Sequence, residues 1–143
     1  MIIAFDLDGT LADLTHRLYF ITGVEKDWEG FFAACAKDAP IASMIQLAGQ
    51  LAIYNTIEIW SGRSDVVRPQ TERWLKRHLG NWGSVLRMRK AGDHRPDDEV
   101  KGEWFDALKP DERPAIAFED RQRVVDMWRS RGVICCQVAP GDF

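Results

Sequence analysis

Short apolar segments alternate along this 143-residue chain with longer stretches whose apolar residues recur at helical spacing. Few architectures accept that order. Ile2–Phe5 is the clearest segment: an unbroken apolar run, β-branched at its start and closed by a Gly-containing turn. Such a run marks a strand buried on both faces. Further strands are expected at Thr56–Trp60, Ser84–Met88, Ala115–Phe118 and Val133–Val138.

Between them, apolar stripes predict helices. Leu14–Ile21 is a short one closed by Gly23, and Asp27 caps another through Ala36, with Trp28, Phe31, Phe32 and Cys35 on one face. Pro40 suits the first position of a helix that turns Ile41, Met44, Ile45, Ala48 and Leu51 inward. Ser64 or Asp65 caps a helix with Pro69 in or near its first turn; Val67, Thr71, Trp74, Leu75 and Leu79 line it and Gly80 ends it. Asp97 or Asp98 opens a helix holding Trp104, Phe105 and Leu108. Arg121–Arg131 turns Val124, Val125 and Trp128 inward, with Gly132 as its terminator. The pattern predicts an α/β fold: a Rossmann-like, doubly wound parallel sheet of about five strands, in a single domain over residues 1–143.

Composition removes several function classes. A net charge of −3 gives the whole molecule no general attraction for nucleic acid, so any polyanion site must be a local patch. Cys35, Cys135 and Cys136 form neither a disulfide framework nor a CxxC zinc pair. No apolar run is long enough to span a bilayer, and the chain enters a strand at once with no signal peptide. The expected location is cytoplasmic.

In a doubly wound sheet, ligands sit outside the carboxyl ends of the strands. The first strand runs into Asp6-Leu7-Asp8-Gly9-Thr10, and the second into Ser61-Gly62-Arg63. The third precedes Arg87, Arg89, Lys90, His94 and Arg95, with Lys101 on the next helix, and the fourth ends in Glu119-Asp120-Arg121. Carboxylates therefore gather after strands one and four, and cations and a hydroxyl after strands two and three. At about 4 Å and an effective dielectric near 20, two carboxylates repel by roughly 4 kcal/mol, so the Asp6/Asp8 pair requires compensation. The polarity describes a hard-cation site beside an oxyanion site. Mg²⁺ takes oxygen ligands from a few carboxylates, and phosphate takes N–H groups, hydroxyls and basic side chains.

"DLDGT", "SGR", a downstream Lys and "ED" resemble the four motifs of the haloacid dehalogenase superfamily of phosphatases. Arg17, "WSGRSDVVRPQTERWL", "RPDDEVKGEWF" and "AFEDRQRVVDMWRSRGVICCQVAPGDF" narrow the likeness to the 3′-phosphatase half of phage polynucleotide kinase/phosphatase. The resemblance covers nearly the whole chain. It implies a Mg²⁺-dependent phosphomonoesterase that removes 3′-phosphates from polynucleotide ends through an aspartyl-phosphate. Asp6 is then the nucleophile and Asp8 the acid/base. Ser61, Gly62, Arg63, Lys101 and Arg17 bind the phosphate, Asp97 supports the site, and Asp6, Asp8, Glu119 and Asp120 surround Mg²⁺. An acid at Asp8 requires its pKa to lie above that of Asp6. A phage or prophage origin also follows from the likeness.

Two departures matter. No GxxxxGK[ST] occurs, so no P-loop kinase half accompanies the phosphatase on this chain. The stretch between the first two motifs is longer than in the phage enzyme and carries "KDWEGFFAACAKDAP", a candidate small cap within residues 14–40. A cap favours the alternative of a mononucleotide or other small phosphomonoester as substrate. A non-catalytic binding module is the remaining alternative. Simpler readings also exist for single residues: a solvated helix position for Arg17, a surface i,i+4 pair for Asp97 and Lys101, a solvated loop for the basic run, and core packing for most Trp. Trp28, in the cap segment, is the one Trp considered for base stacking.

Overall fold

The computed structural model describes residues 1–80 and 85–141. Its main sheet has five parallel strands, β1 (Ile2–Phe5), β4 (Thr56–Ser64), β5 (Leu86–Arg89), β6 (Ile116–Arg121) and β7 (Ile134–Gly141), in the order β5-β4-β1-β6-β7. A separate two-strand ladder joins β2 (Ala12–Asp13) to β3 (Ala39–Pro40). Helices α1 (Tyr19–Thr22), α2 (Trp28–Ala33), α3 (Ala42–Ala52), α4 (Arg68–Leu79), α5 (Asp97–Asp106) and α6 (Gln122–Ser130) complete it. Ser84, the expected first residue of the third strand, lies outside the described residues. No described helix is long and apolar enough to cross a membrane.

Side-chain alternation along the strands builds two cores. Ile3 and Phe5 of β1 and Ile57 and Ile59 of β4 pack with Ala48 of α3 and Trp74 and Leu75 of α4. Ala4, Trp60 and Ala117 point to the other face and pack with Phe105 of α5 and Val124, Val125 and Trp128 of α6. The doubly wound arrangement therefore stands. The chain passes from β1 out to β4 and β5, then returns to β6 and β7 on the other side. That reversal makes the carboxyl end of β1 the switch point, where a crevice is expected.

Several boundaries differ from expectation. Leu14–Ile21 is a 3-10 turn (Thr15–Arg17) followed by the single turn α1, and the Asp27-capped helix becomes 3-10 at Ala34–Lys37. Pro40 does not open α3. It pairs with Ala12 in the small ladder, and Ile41 donates its N–H to Leu11 O at 2.8 Å before the helix begins at Ala42. A proline tolerates such a two-residue edge because it needs no ladder donor there. This clasp joins the two ends of residues 14–38. β4 and β6 also run on through the motif residues, with register irregularities between Ser61 and Ser64 and between Glu119 and Arg121. Irregular pairing there re-aims side chains without ending the strand.

The second core predicts a measurable cost. The Trp128 ring lies 5.0 Å from Trp60 and 5.8 Å from Phe105, almost fully buried. Trp128→Ala is expected to destabilise the fold by about 3–5 kcal/mol. Urea unfolding should show this as a lower midpoint with an unchanged slope.

Candidate active site

The loop after β1 is shaped by its own backbone. Leu7 is buried, and its carbonyl accepts from the N–H groups of Thr10, Leu11 and Ala12 at 3.3, 2.9 and 2.8 Å. Gly9 turns the chain at φ 84°, and a Cβ there would lie 2.2 Å from Asp120 Oδ2. Glycine is thus required twice, for the left-handed backbone and for the approach of Asp120. The turn leaves Asp6 and Asp8 in different surroundings.

Asp6 joins Glu119 and Asp120, from the end of β6, in a buried group whose ligand oxygens all lie within 4.8 Å of one another. Lys101 of α5 reaches into it, its Nζ 2.6 Å from Asp6 Oδ1 and 2.8 Å from Glu119 Oε2. Its burial excludes the surface-pair reading. Glu119 Oε1 accepts from the N–H groups of Asp120 and Arg121 at 3.2 and 3.3 Å. Burial, with Glu119 nearby, pushes the Asp6 carboxyl up to about 8. Burial also raises Glu119 to about 7 against the pull of Lys101, and burial and Asp6 raise Asp120 to about 6. Ionised, three carboxylates against one ammonium leave an excess of two negative charges, and all the donors are hard oxygens. That set suits a divalent cation of the Mg²⁺ kind.

The Asp8 carboxylate is not part of this group. It faces two guanidiniums. Arg17 Nη2 donates to Asp8 Oδ1 at 2.7 Å; Arg63 donates from Nη2 at 2.6 Å and from Nε at 2.9 Å. Burial alone would raise the Asp8 carboxyl, but Arg63 and Arg17 outweigh it and hold it below the usual carboxylate range. In the protein without a cation, the expected order of Asp8 above Asp6 is therefore reversed. Arg17 is fully buried, which overturns its reading as a solvated residue.

Asp38 is the residue the sequence reading missed. Its buried carboxylate accepts from Arg17 Nε and Nη2 at 2.8 and 2.7 Å, Arg63 Nη2 at 2.6 Å and His16 Nε2 at 2.7 Å. Its carbonyl accepts from the Trp74 indole at 2.8 Å. Asp8 and Asp38 thus sandwich both guanidiniums. The available signal was arithmetic: two arginines assigned to one site need more anion than Asp8 alone provides.

Ser61 is buried, and its Oγ accepts from the Arg63 N–H at 3.2 Å. Asp97 does not pair with Lys101. It accepts from Arg89 Nη2 and from Arg121 Nη1, the latter at 2.9 Å, while Arg89 Nε donates to Gly62 O at 2.9 Å. A Cβ on Gly62 would lie 2.4 Å from Asp97 Oδ1, so this glycine lets Asp97 approach the Ser61–Arg63 stretch of β4. The basic run is largely matched by nearby acids: Arg95 pairs with Asp93 and Glu103, and Arg87 lies beside Glu58 and over the Trp60 ring.

The family described as the polynucleotide kinase PNKP phosphatase domain matches residues 1–143. The chain belongs to this family. It is a phosphatase of the haloacid dehalogenase superfamily, as the motifs predict. A chain in the structure of the Pnkp1/Rnl/Hen1 complex is 28% identical, with a TM-score of 0.83 over 99% of this chain and 47% of that one. A chain in the Pnkp1/Rnl/Hen1 RNA repair complex is 27% identical, with a TM-score of 0.80 over 99% of this chain and 43% of that one. This chain thus spans less than half the length of those relatives. A haloacid dehalogenase-like hydrolase from Streptococcus pneumoniae shares the fold at 14% identity, with a TM-score of 0.65 over 95% of this chain and 83% of that one.

The charge layout yields two tests. Folded Asp6, Glu119 and Asp120 hold protons to higher pH than their unfolded forms near 4, so their contribution to stability falls as pH rises from about 4 to 8. Added Mg²⁺ should therefore raise the melting temperature more at pH 8 than at pH 5, and Asp120→Asn should flatten that difference. Asp38→Asn removes the shared anion between two buried guanidiniums and should cost about 3–5 kcal/mol, read by chemical unfolding.

Proposed function

We propose that this phosphatase is a Mg²⁺-dependent phosphomonoesterase that works through an aspartyl-phosphate on Asp6 and removes 3′-phosphates from polynucleotide ends. The observation that carries the reading is the position of Asp6. It stands at the switch point, in the carboxylate and ammonium cluster, two residues from a carboxylate held by two guanidiniums.

Asp6, Glu119 and Asp120 would hold the cation. When bound, it neutralises the repulsion between a carboxylate nucleophile and a phosphate dianion. An Asp6 carboxylate oxygen attacks phosphorus and the bond to the leaving 3′ oxygen breaks. Asp8 donates a proton to that oxygen, then takes one from the water that attacks the acyl phosphate and releases Asp6. A phosphate sharing Arg17 and Arg63 loosens their hold on the Asp8 charge and so raises its affinity for a proton when the leaving group needs one. Lys101 and Ser61 serve the phosphoryl oxygens, and Asp97 supports the Ser61–Arg63 stretch of β4.

Family membership and the relatives in an RNA repair complex support a polynucleotide end. One observation favours a small phosphomonoester instead: Phe32 and Cys35 pack with Val67, just after β4, and with Met88 of β5, contacts that a small cap within residues 14–40 would make. With Mg²⁺, the wild type should hydrolyse a 3′-phosphorylated oligonucleotide faster than a 3′-mononucleotide, and Asp6→Asn should reduce both to background. A preference for the mononucleotide would move the reading to small substrates. Activity surviving in Asp6→Asn would remove the covalent mechanism, and an inactive wild type would leave a binding module.

A further inference from the structure

Large apolar side chains gather on the outer surface of the segment between β2 and β3. Tyr19, Val24 and Trp28 are all well exposed there. Trp28 is nevertheless held in place. Phe31 meets its ring edge-on at 5.8 Å and Phe32 lies tilted at 6.1 Å, yet 46% of Trp28 stays open to solvent. Phe31 in turn carries the Arg17 guanidinium, 4.2 Å from its centroid, and Arg17 donates to Asp8 at 2.7 Å. Three contacts thus lead from an open indole to the acid/base carboxylate.

The ring has a cation near it, and the same segment exposes Glu25, Asp27 and Glu29. Lys26 Nζ lies over one face of the Trp28 ring, 5.8 Å from its centroid. An exposed ring beside a cation is the pairing that binds single-stranded nucleic acid, with a base on the ring and a phosphate on the cation. The clasp between β2 and β3 closes the segment, and Phe32 and Cys35 pack it against Val67 and Met88, while Phe31 ties α2 to the Arg17 guanidinium of the site. An aliphatic phosphomonoester has no π-face to place there.

We propose that Trp28 is a specificity-determining residue: its ring stacks the terminal nucleobase of a phosphorylated nucleic-acid end, and Lys26 faces a backbone phosphate. The proposal rests on the polynucleotide reading above. Stacking accepts every base, so Trp28 confers preference for base-bearing ends without reading their sequence.

The test compares a 3′-phosphorylated oligonucleotide with the same oligonucleotide made abasic at its last residue. Wild type should prefer the base-bearing end. Trp28→Ala should lose on the order of tenfold in kcat/KM on that substrate, through KM, and leave the abasic one unchanged. Trp28→Phe should keep most of the preference. The base-bearing oligonucleotide should quench tryptophan fluorescence in wild type and much less in Trp28→Phe. A preference that survives in Trp28→Ala, or equal losses on both substrates, would overturn the role of Trp28 alone. A wild type that favours a 3′-mononucleotide over both oligonucleotides would instead overturn the polynucleotide reading, and this proposal with it.

Discussion

The ammonium of Lys101 sits between Asp6 and Glu119, the carboxylates that end two neighbouring strands, and the geometry of the site depends on it. Two acids that close would repel by roughly 4 kcal/mol even at an effective dielectric of 20. Several distant features combine to deliver the compensating charge. Phe5 of β1 stacks on Phe118 of β6 at 4.5 Å, which sets the strand ends side by side. Val100 and Phe105 of α5 are buried, and Phe105 seats against Trp128. The apolar layer beneath the site therefore fixes how far Lys101 reaches into it.

The charged end of the sheet divides into two groups of opposite character. Asp6, Glu119 and Asp120 outnumber Lys101, which leaves a negative excess. Asp8 and Asp38 match Arg17 and Arg63 one for one. A group with excess charge attracts a counterion, whereas a matched group keeps its donors oriented and rigid. Asp6 and Asp8, two residues apart, fall one into each group, and Gly9 makes that division sterically possible. This is how two carboxylates of the same type acquire different proton affinities.

Strand and helix existence was legible because apolar periodicity is local, and so was the gathering of Asp6, Ser61, Lys101 and Glu119 at one end, because parallel topology puts every strand terminus there. Partnership was not legible. Lys101 lies one helical turn from Asp97, yet each pairs elsewhere, with groups on other strands. Asp38 sits in a stretch without regular periodicity, and its value comes from Arg17 and Arg63, residues 21 and 25 positions away. Pro40 also misled, since its fixed φ suits a helix start and an edge strand equally; the deciding contact is the ladder to Ala12.

Residues 14–38 carry two duties in one short segment. Arg17 and Asp38, near its two ends, complete the matched charge group, while α2 between them presents Trp28 to solvent. Phe31 belongs to both, with one contact to the Arg17 guanidinium and another to the Trp28 ring. Buried groups of this kind tolerate little displacement, because each carboxylate oxygen already accepts from a defined donor. Substitutions on the exposed side of α2 can therefore alter its solvent-facing surface alone, whereas changes in the length of the segment must disturb Arg17 or Asp38 unless the β2–β3 clasp absorbs them. The solvent-facing side of α2 is thereby fastened to the charge cluster that orients Asp8.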